Sequence, residues 1–164
     1  MYKVAIITLS DKGARGERED VSGRVIREMV EAAGYQVSRQ LLLNDDREGL
    51  AQALREICDG GQAELILTTG GTGFSPRDNA PEATMDVVER PVPGIAEAMR
   101  YHSLSITPRG MLSRAVSGIR GRTLIVNLPG SPKAVKENLE YILPTLDHGL
   151  AILVGDAGES MPRG

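Results

Sequence analysis

The sequence predicts an α/β fold: a doubly wound, mostly parallel sheet with helices on both faces, in three layers. Two observations carry this prediction. Short apolar, β-branched runs alternate along the chain with amphipathic helical patterns. The loops that follow those runs are rich in glycine, hydroxyls and carboxylates. The first pattern is that of parallel strands linked by helical crossovers. The second matters because ligands of such sheets lie just beyond the carboxyl ends of the strands.

The elements follow in order. Tyr2 to Leu9 (YKVAIITL) is a near-continuous apolar run, expected as a central strand, and Ser10 to Asp20 is expected as a polar loop. Ser22 to Ala33 places Val25, Ile26, Met29, Val30 and Ala33 at helical spacing, with Gly34 as the stop. Tyr35 to Leu43 reads as the second strand. Asn44-Asp45-Asp46 then turns into a helix with Leu50, Ala53, Leu54 and Ile57 on one face, ended by Gly60-Gly61. Ala63 to Thr69 is the third strand.

Pro81-Glu82 suits a first helical turn, where proline needs no donor and an acid complements the dipole. Pro91 to Gly94 interrupts that helix, and Ile95 to Leu104 resumes helical spacing. Ser113 and Ser117 fall in a helix-like stretch. Gly121-Arg122 leads into the strand Thr123 to Leu128, and the helix after Ser131 is expected to run to about Leu143, before Pro144. The tail from about residue 155 is glycine-rich and polar and is read as loosely ordered.

Length and composition bound the function. A chain of 164 residues with 41% hydrophobic and 25% charged content is expected as one globular domain, residues 1–164. A net charge of -3 gives no bulk attraction to nucleic acid or anionic lipid. With no Trp, one Phe and four Tyr, there is little to build a base-stacking platform. There is no signal-peptide pattern and no apolar run of about 18 residues. The expectation is a cytoplasmic protein that binds neither nucleic acid nor membrane. The single cysteine, Cys58, has no internal partner, and no Cys/His cluster has zinc-ligand spacing.

The segment Thr69 to Asp78 (TGGTGFSPRD) is the most informative part of the chain. Three glycines, hydroxyls and an Arg-Asp pair directly after a buried strand describe backbone built to approach a ligand closely. Three loops are expected to converge at the carboxyl edge of the sheet: Ser10 to Gly13, Thr69 to Asp78, and Asn127 to Ser131. Two of them enter helices, whose free N–H groups and dipole favour anions, so together they could seat a phosphorylated ligand. The Walker A and G-x-G-x-x-G spacings are both missing.

Asp45, Asp46 and Asp78 are the candidate carboxylates. Phosphoryl and nucleotidyl transfer needs a divalent ion to offset charge, and loop carboxylates are the hard ligands magnesium accepts. The plainer role for Asp45 or Asp46 is a helix N-cap. For Asp78 it is a salt bridge to Arg77 or a cap before Pro81. Lys12, Arg77, Arg109, Arg114 and Lys133 are basic candidates for anionic groups; each taken alone is expected to be a solvated surface charge. His102 and His148 are isolated, and Ser113 and Ser117 have no visible base, which argues against a serine hydrolase.

At these residues the chain resembles the MoaB/Mog family of molybdenum cofactor biosynthesis. The matching segments are Thr8-Leu9-Ser10-Asp11, Asn44-Asp45-Asp46, TTGGTGFSPRDNAPEAT from Thr68 to Thr84, Pro93-Gly94, Leu112-Ser113-Arg114, and NLPGSPKAVKENLE from Asn127 to Glu140. They span nearly the whole chain in order. The resemblance implies the Mog-type, Rossmann-like α/β fold, molybdopterin binding and, for Mog-type members, magnesium-dependent adenylyl transfer from ATP to the molybdopterin phosphate. It implies Asp45 and Asp78 for catalysis and magnesium positioning. Ser10, Asp11, Gly70, Gly71, Thr72, Gly73 and Ser131 would bind molybdopterin, and Asn127, Pro129 and Gly130 the nucleotide. It further implies a homotrimer or trimer-based hexamer and handover of product to a molybdenum-insertion protein. MoaB-type members leave an alternative, a protein that binds molybdopterin or a precursor without adenylating it.

Overall fold

The computed structural model describes residues 1–155. Strands β1 (Lys3–Leu9), β2 (Gln36–Leu43), β3 (Leu65–Thr69), β4 (Arg90–Pro91), β5 (Ser117–Arg120) and β6 (Thr123–Leu128) form a six-stranded sheet in the order β2-β1-β3-β6-β5-β4. The first four positions are parallel, and β5 and β4 add antiparallel at the far edge. The helices are α1 (Asp11–Ala14), α2 (Val21–Ala32), α3 (Arg47–Asp59), α4 (Ala80–Val87), α5 (Pro93–Leu104) and α6 (Pro132–Val154).

Side-chain alternation along the strands divides the core in two. Val4, Ile6, Leu65, Leu67, Leu124 and Val126 point to one face, where they meet Ile26 and Val30 of α2, Met99 of α5 and Leu139 of α6. Ala5, Ile7, Ile66 and Ile125 point to the other, against Leu50, Leu54 and Ile57 of α3 and Ala83 and Val87 of α4. Because both faces are covered, β1, β3 and β6 read as continuous apolar runs, as central parallel strands do. The doubly wound sheet predicted from the sequence is the one observed.

Three local expectations are corrected. Ser10 to Asp20 is not all loop: Ser10 caps a single helical turn, its Oγ accepting from Gly13 N at 3.0 Å. Ser117 lies in a strand rather than a helix, and Ser113 follows a short 3-10 turn, Pro108–Leu112. The β5–β6 hairpin turns on Gly121, whose φ of +58° suits a two-residue loop. Gly118 lets this strand pass Val88, since a Cβ there would sit 2.4 Å from a Val88 methyl. Helix α6 runs past Pro144 to Val154. The expectation for the tail beyond residue 155 lies outside the described residues.

Pro144 is tolerated because its ring faces solvent while Ile142, Leu143, Leu146 and Leu150 hold the helix on the sheet. The apolar face that binds the helix outweighs the hydrogen bond that the Glu140 carbonyl loses. Substituting Pro144→Ala restores that bond without removing core packing. It is expected to stabilise the protein by about 1–3 kcal/mol in urea unfolding; equal or lower stability would show that the ring is needed for the path of α6.

Candidate active site

The chain passes from β1 to β2 on one side and then returns to place β3 on the other. Strand order therefore reverses between β1 and β3, and the loops leaving their carboxyl ends diverge. A cleft opens where they part, as expected at such a switch point. It has a volume of about 550 Å³, within the range of roughly 300–1,000 Å³ usual for small-molecule sites.

Seven of the residues singled out from the sequence line it: Ser10, Gly70, Gly71, Gly130, Ser131, Asp45 and Asp78. The convergence of three loops is thus observed. Gly70 crosses directly over the end of β1, with φ +90° and a virtual Cβ only 2.5 Å from the Leu9 carbonyl oxygen. A side chain there would meet backbone that cannot move, so only glycine lets this loop form the cleft floor. Thr69 Oγ1 donates to the Pro129 carbonyl at 2.6 Å, joining the glycine loop to the loop after β6. Ser131 caps α6, its Oγ accepting from Ala134 N at 3.2 Å, and so brings the amino end of a 23-residue helix to the cleft.

Asp11, Thr72, Gly73, Pro129 and Asn127 belong to the same loops but do not line the cleft. Asn127 is fully buried. Its Nδ2 donates to Thr68 Oγ1 and Thr84 Oγ1, each at 2.9 Å, and its Oδ1 accepts from Val116 N at 3.1 Å. It joins β3, β6, α4 and the start of β5 from inside, and its side chain has no free donor left for a nucleotide.

The adjacent acids of the second loop separate cleanly. Asp46 is the N-cap of α3, accepting from Gly49 N at 2.9 Å. Asp45 is not a cap. It and Asp11 exchange reciprocal bonds: Asp45 Oδ2 accepts from Asp11 N at 3.2 Å, and Asp11 Oδ1 accepts from Asp45 N at 2.9 Å. Two carboxylates are held together at the ends of β1 and β2. Asp11 is relieved by Arg77, which chelates it with two bonds of 3.0 and 2.9 Å and holds its carboxyl below the usual range. Asp45 has no such partner. Burial raises its pKa, and the charges of Asp11 and Asp78 push in the same direction.

Asp78 adopts neither role expected of it, since Arg77 turns to Asp11. One of its oxygens, Oδ2, accepts from Ser75 N at 2.9 Å, which ties the carboxylate to its own loop. Of the other basic candidates, Lys133 lies 3.9 Å from Glu137 on the exposed side of α6. Arg114 is more than a surface charge: it donates to the Gly73 and Asp78 carbonyls and to the Glu82 carboxylate.

The sequence reading missed the wall formed by the start of α2. Arg18, Glu19, Asp20 and Ser22 line the cleft. Asp20 caps α2 through Gly23 N and accepts from Thr8 Oγ1 at 2.8 Å, and Ser22 Oγ donates to the Gly130 carbonyl at 2.7 Å. The signal was present, because Asp20 directly precedes a helical apolar pattern, which is an N-cap signature.

No group of three or more His, Cys, Asp or Glu side chains among the described residues is placed to enclose a metal. Two loop carboxylates at one cleft still suit magnesium, which takes one or two such ligands and completes its shell with water and substrate phosphate.

The family model described as a probable molybdopterin binding domain matches residues 5–148. The chain belongs to this family. A Helicobacter pylori relative named molybdopterin adenylyltransferase is 36% identical over 157 residues, covering 93% of this chain and 88% of the relative. An Escherichia coli protein of the same name is 38% identical over 143 residues, covering 85% of this chain and 73% of that protein. Among solved structures, the molybdopterin biosynthesis enzyme MoaB of Thermus thermophilus is 49% identical with a TM-score of 0.88, covering 94% of this chain and 98% of that one. The tungsten cofactor synthesizing protein MoaB of Pyrococcus furiosus is 34% identical with a TM-score of 0.84, covering 93% and 96%. The MoaB/Mog resemblance read from the motifs is borne out.

The buried Asn127 network predicts a structural phenotype. Substituting Asn127→Ala leaves the Val116 amide without its side-chain partner and opens a small void. It is expected to cost about 2–4 kcal/mol, read as a lower urea midpoint. Unchanged stability would refute the role assigned to this side chain.

Proposed function

We propose that this protein is a molybdopterin adenylyltransferase. A phosphate oxygen of molybdopterin attacks the α-phosphorus of ATP; the new O–P bond forms as the bond to the β,γ-pyrophosphate breaks, giving adenylyl-molybdopterin and pyrophosphate. One observation carries this reading: Asp45 and Asp78 face one cleft at the switch point of the sheet, in a chain of this family.

The residues divide the work by their chemistry. The loop at Gly70 and Gly71 and the amino end of α6 at Ser131 and Pro132 present backbone and helix dipole to phosphate groups. Ser10, Asp11, Thr72 and Gly73 belong to the molybdopterin side, and Pro129, Gly130 and Asn127 to the nucleotide side; Asn127 acts there by fixing the loop. Asp45 and Asp78 are the residues that would hold magnesium. When bound, that ion offsets negative charge on the reacting phosphates. Burial raises the pKa of Asp45, as do the charges of Asp11 and Asp78, a cost that a cation held there would relieve.

The rest of the proposal leans on the family. The whole chain, 1–164, would act as one domain in the cytoplasm, as a homotrimer or trimer-based hexamer, and pass its product to a molybdenum-insertion protein. No helix among the described residues is long and apolar enough to cross a membrane. The alternative reading is binding of molybdopterin or a precursor without adenylyl transfer.

Pyrophosphate release by purified protein with molybdopterin, ATP and magnesium separates the two. Sustained release from wild type and a loss on the order of 100-fold in Asp78→Asn is the expected result. Bound pterin without release would establish the binding protein instead.

A second expectation concerns stability. A carboxyl whose pKa is raised by folding destabilises the folded state once it ionises, so its contribution worsens as pH rises through that value. Asp45→Asn removes the charge and keeps an oxygen for the Asp11 amide. At neutral pH without metal it is expected to raise Tm by up to about 3 °C, the effect being limited by solvent screening, while transfer activity is lost. A lower Tm would show that Asp45 is held by a partner charge after all.

A further inference from the structure

Asp78 stands at the end of an irregular excursion between β3 and α4. No strand ladder or helix fixes its backbone, yet a carboxylate that works at a reacting phosphate has to be held in place before substrate arrives. Beside the Ser75 amide on its carboxylate, its backbone is held by a residue 36 positions away in sequence. We infer that Arg114 is the positioning residue for Asp78: it sets the carboxylate by pinning both ends of the glycine loop to the first turn of α4. This inference rests on the adenylyl-transfer reading for its catalytic consequence, though not for its geometry.

Every part of Arg114 takes part. Its backbone N–H donates to the Thr72 carbonyl at 3.0 Å. Its Nε donates to the Gly73 carbonyl at 2.8 Å, and its Nη2 donates to the Asp78 carbonyl at 2.7 Å. Nη1 and Nη2 together hold the Glu82 carboxylate, at 2.7 and 3.2 Å. The start of the loop, its end and the neighbouring helix are thereby fixed to one planar group. The guanidinium keeps Glu82 ionised, drawing its carboxyl below the usual range, and Glu82 in turn holds the fork in the plane that the two carbonyls require.

The loop has few other ties. Asp78 N donates to the Ser75 carbonyl at 2.9 Å, and Ala80 N to the Gly71 carbonyl at 3.1 Å. The first is internal to the excursion, and the second ties it to the start of α4; on the other side Arg77 ties it to Asp11 through two exposed side-chain bonds of 3.0 and 2.9 Å. Arg114 does not line the cleft. Its side-chain contacts are with the loop and with Glu82, so it is placed to act through them. Lysine cannot replace it, because an ammonium on a flexible stem cannot reproduce a rigid fork with donors at three fixed angles.

The test uses the full-length protein as Arg114→Lys and Arg114→Ala, with two independent readouts. The first is amide hydrogen exchange of residues 71–79 without substrates. Exchange is expected to accelerate on the order of 10-fold or more in both variants, with β1, β3 and β6 as protected as in wild type. The second is pyrophosphate release. The turnover number is expected to fall on the order of 10–100-fold, the scale of a small misplacement of a reacting group, with KM for molybdopterin within about twofold of wild type. Added guanidinium or ethylguanidinium at millimolar concentration is expected to restore part of the activity of Arg114→Ala, and ethylammonium is not.

Wild-type exchange and turnover in both variants would overturn the inference. So would a fall in activity that guanidinium does not rescue while loop exchange stays at the wild-type rate. If Arg114→Ala does not fold, Arg114→Lys carries both readouts. Should wild type itself release no pyrophosphate, the adenylyl-transfer reading fails, and the exchange measurement still decides whether Arg114 pins the loop.

Discussion

The parallel register of β1, β3 and β6 is the constraint on which the rest of the molecule depends. Leu65 pairs with Val4 on one side and with Leu124 on the other, so Thr8, Thr69 and Leu128 lie level at the carboxyl ends, with Leu9 one residue beyond. Their alternate side chains are fully buried on both faces, so a slip of one residue would exchange the two cores. Level strand ends release three loops at one height. The reversal of strand order then separates the first from the second, and the cleft occupies the gap. Its position follows from core packing and needs no interaction with a ligand.

The loops themselves are held by polar groups that the core leaves at its rim. Thr68, Thr84 and Asn127 form a buried hydrogen-bonded group between β3, β6 and α4, and Thr69 reaches the Pro129 carbonyl. Buried polar side chains are costly unless satisfied, and once satisfied they admit few alternatives. These side chains therefore fix the relative height of the glycine loop and the loop after β6, where aliphatic residues could have slid.

Much of this was legible in the sequence, and the exceptions have physical causes. The central strands were plain because strands buried on both faces must be apolar throughout, and the glycine loop was plain because Gly70 and Gly71 take positive φ. Asp45 and Asp46 were indistinguishable as letters; only the direction in which β2 delivers them decides that one caps α3 and the other faces the cleft. Strand β5 escaped because Ser117, Gly118, Ile119 and Arg120 include only one large apolar residue, and its identity comes from pairing with β6 and passing Val88. The long α6 escaped because Pro144 is a local stop signal that tertiary burial overrides. Arg114 was read as a surface charge because the carbonyls that bind it are donated by a loop distant in sequence.

The charge distribution around the cleft has a further consequence. Glu19, Asp20, Asp45 and Asp78 line it, and Arg18 is the basic side chain in that lining. Arg77 is committed to Asp11 and Arg114 to Glu82. Such a surface repels a polyphosphate, and amides with one helix dipole, together worth about half a unit charge, are too weak to reverse that alone. Two of the acids are already engaged in ways that leave them little freedom, Asp20 as the cap of α2 and Glu19 with Arg24. Asp45 and Asp78 remain as acids that no cationic side chain contacts within salt-bridge distance among the described residues. Under the proposed function, those two carboxylates are where a divalent ion would offset the charge of an incoming phosphate. The acidity that counts against phosphate binding is, on that reading, what would make binding depend on metal.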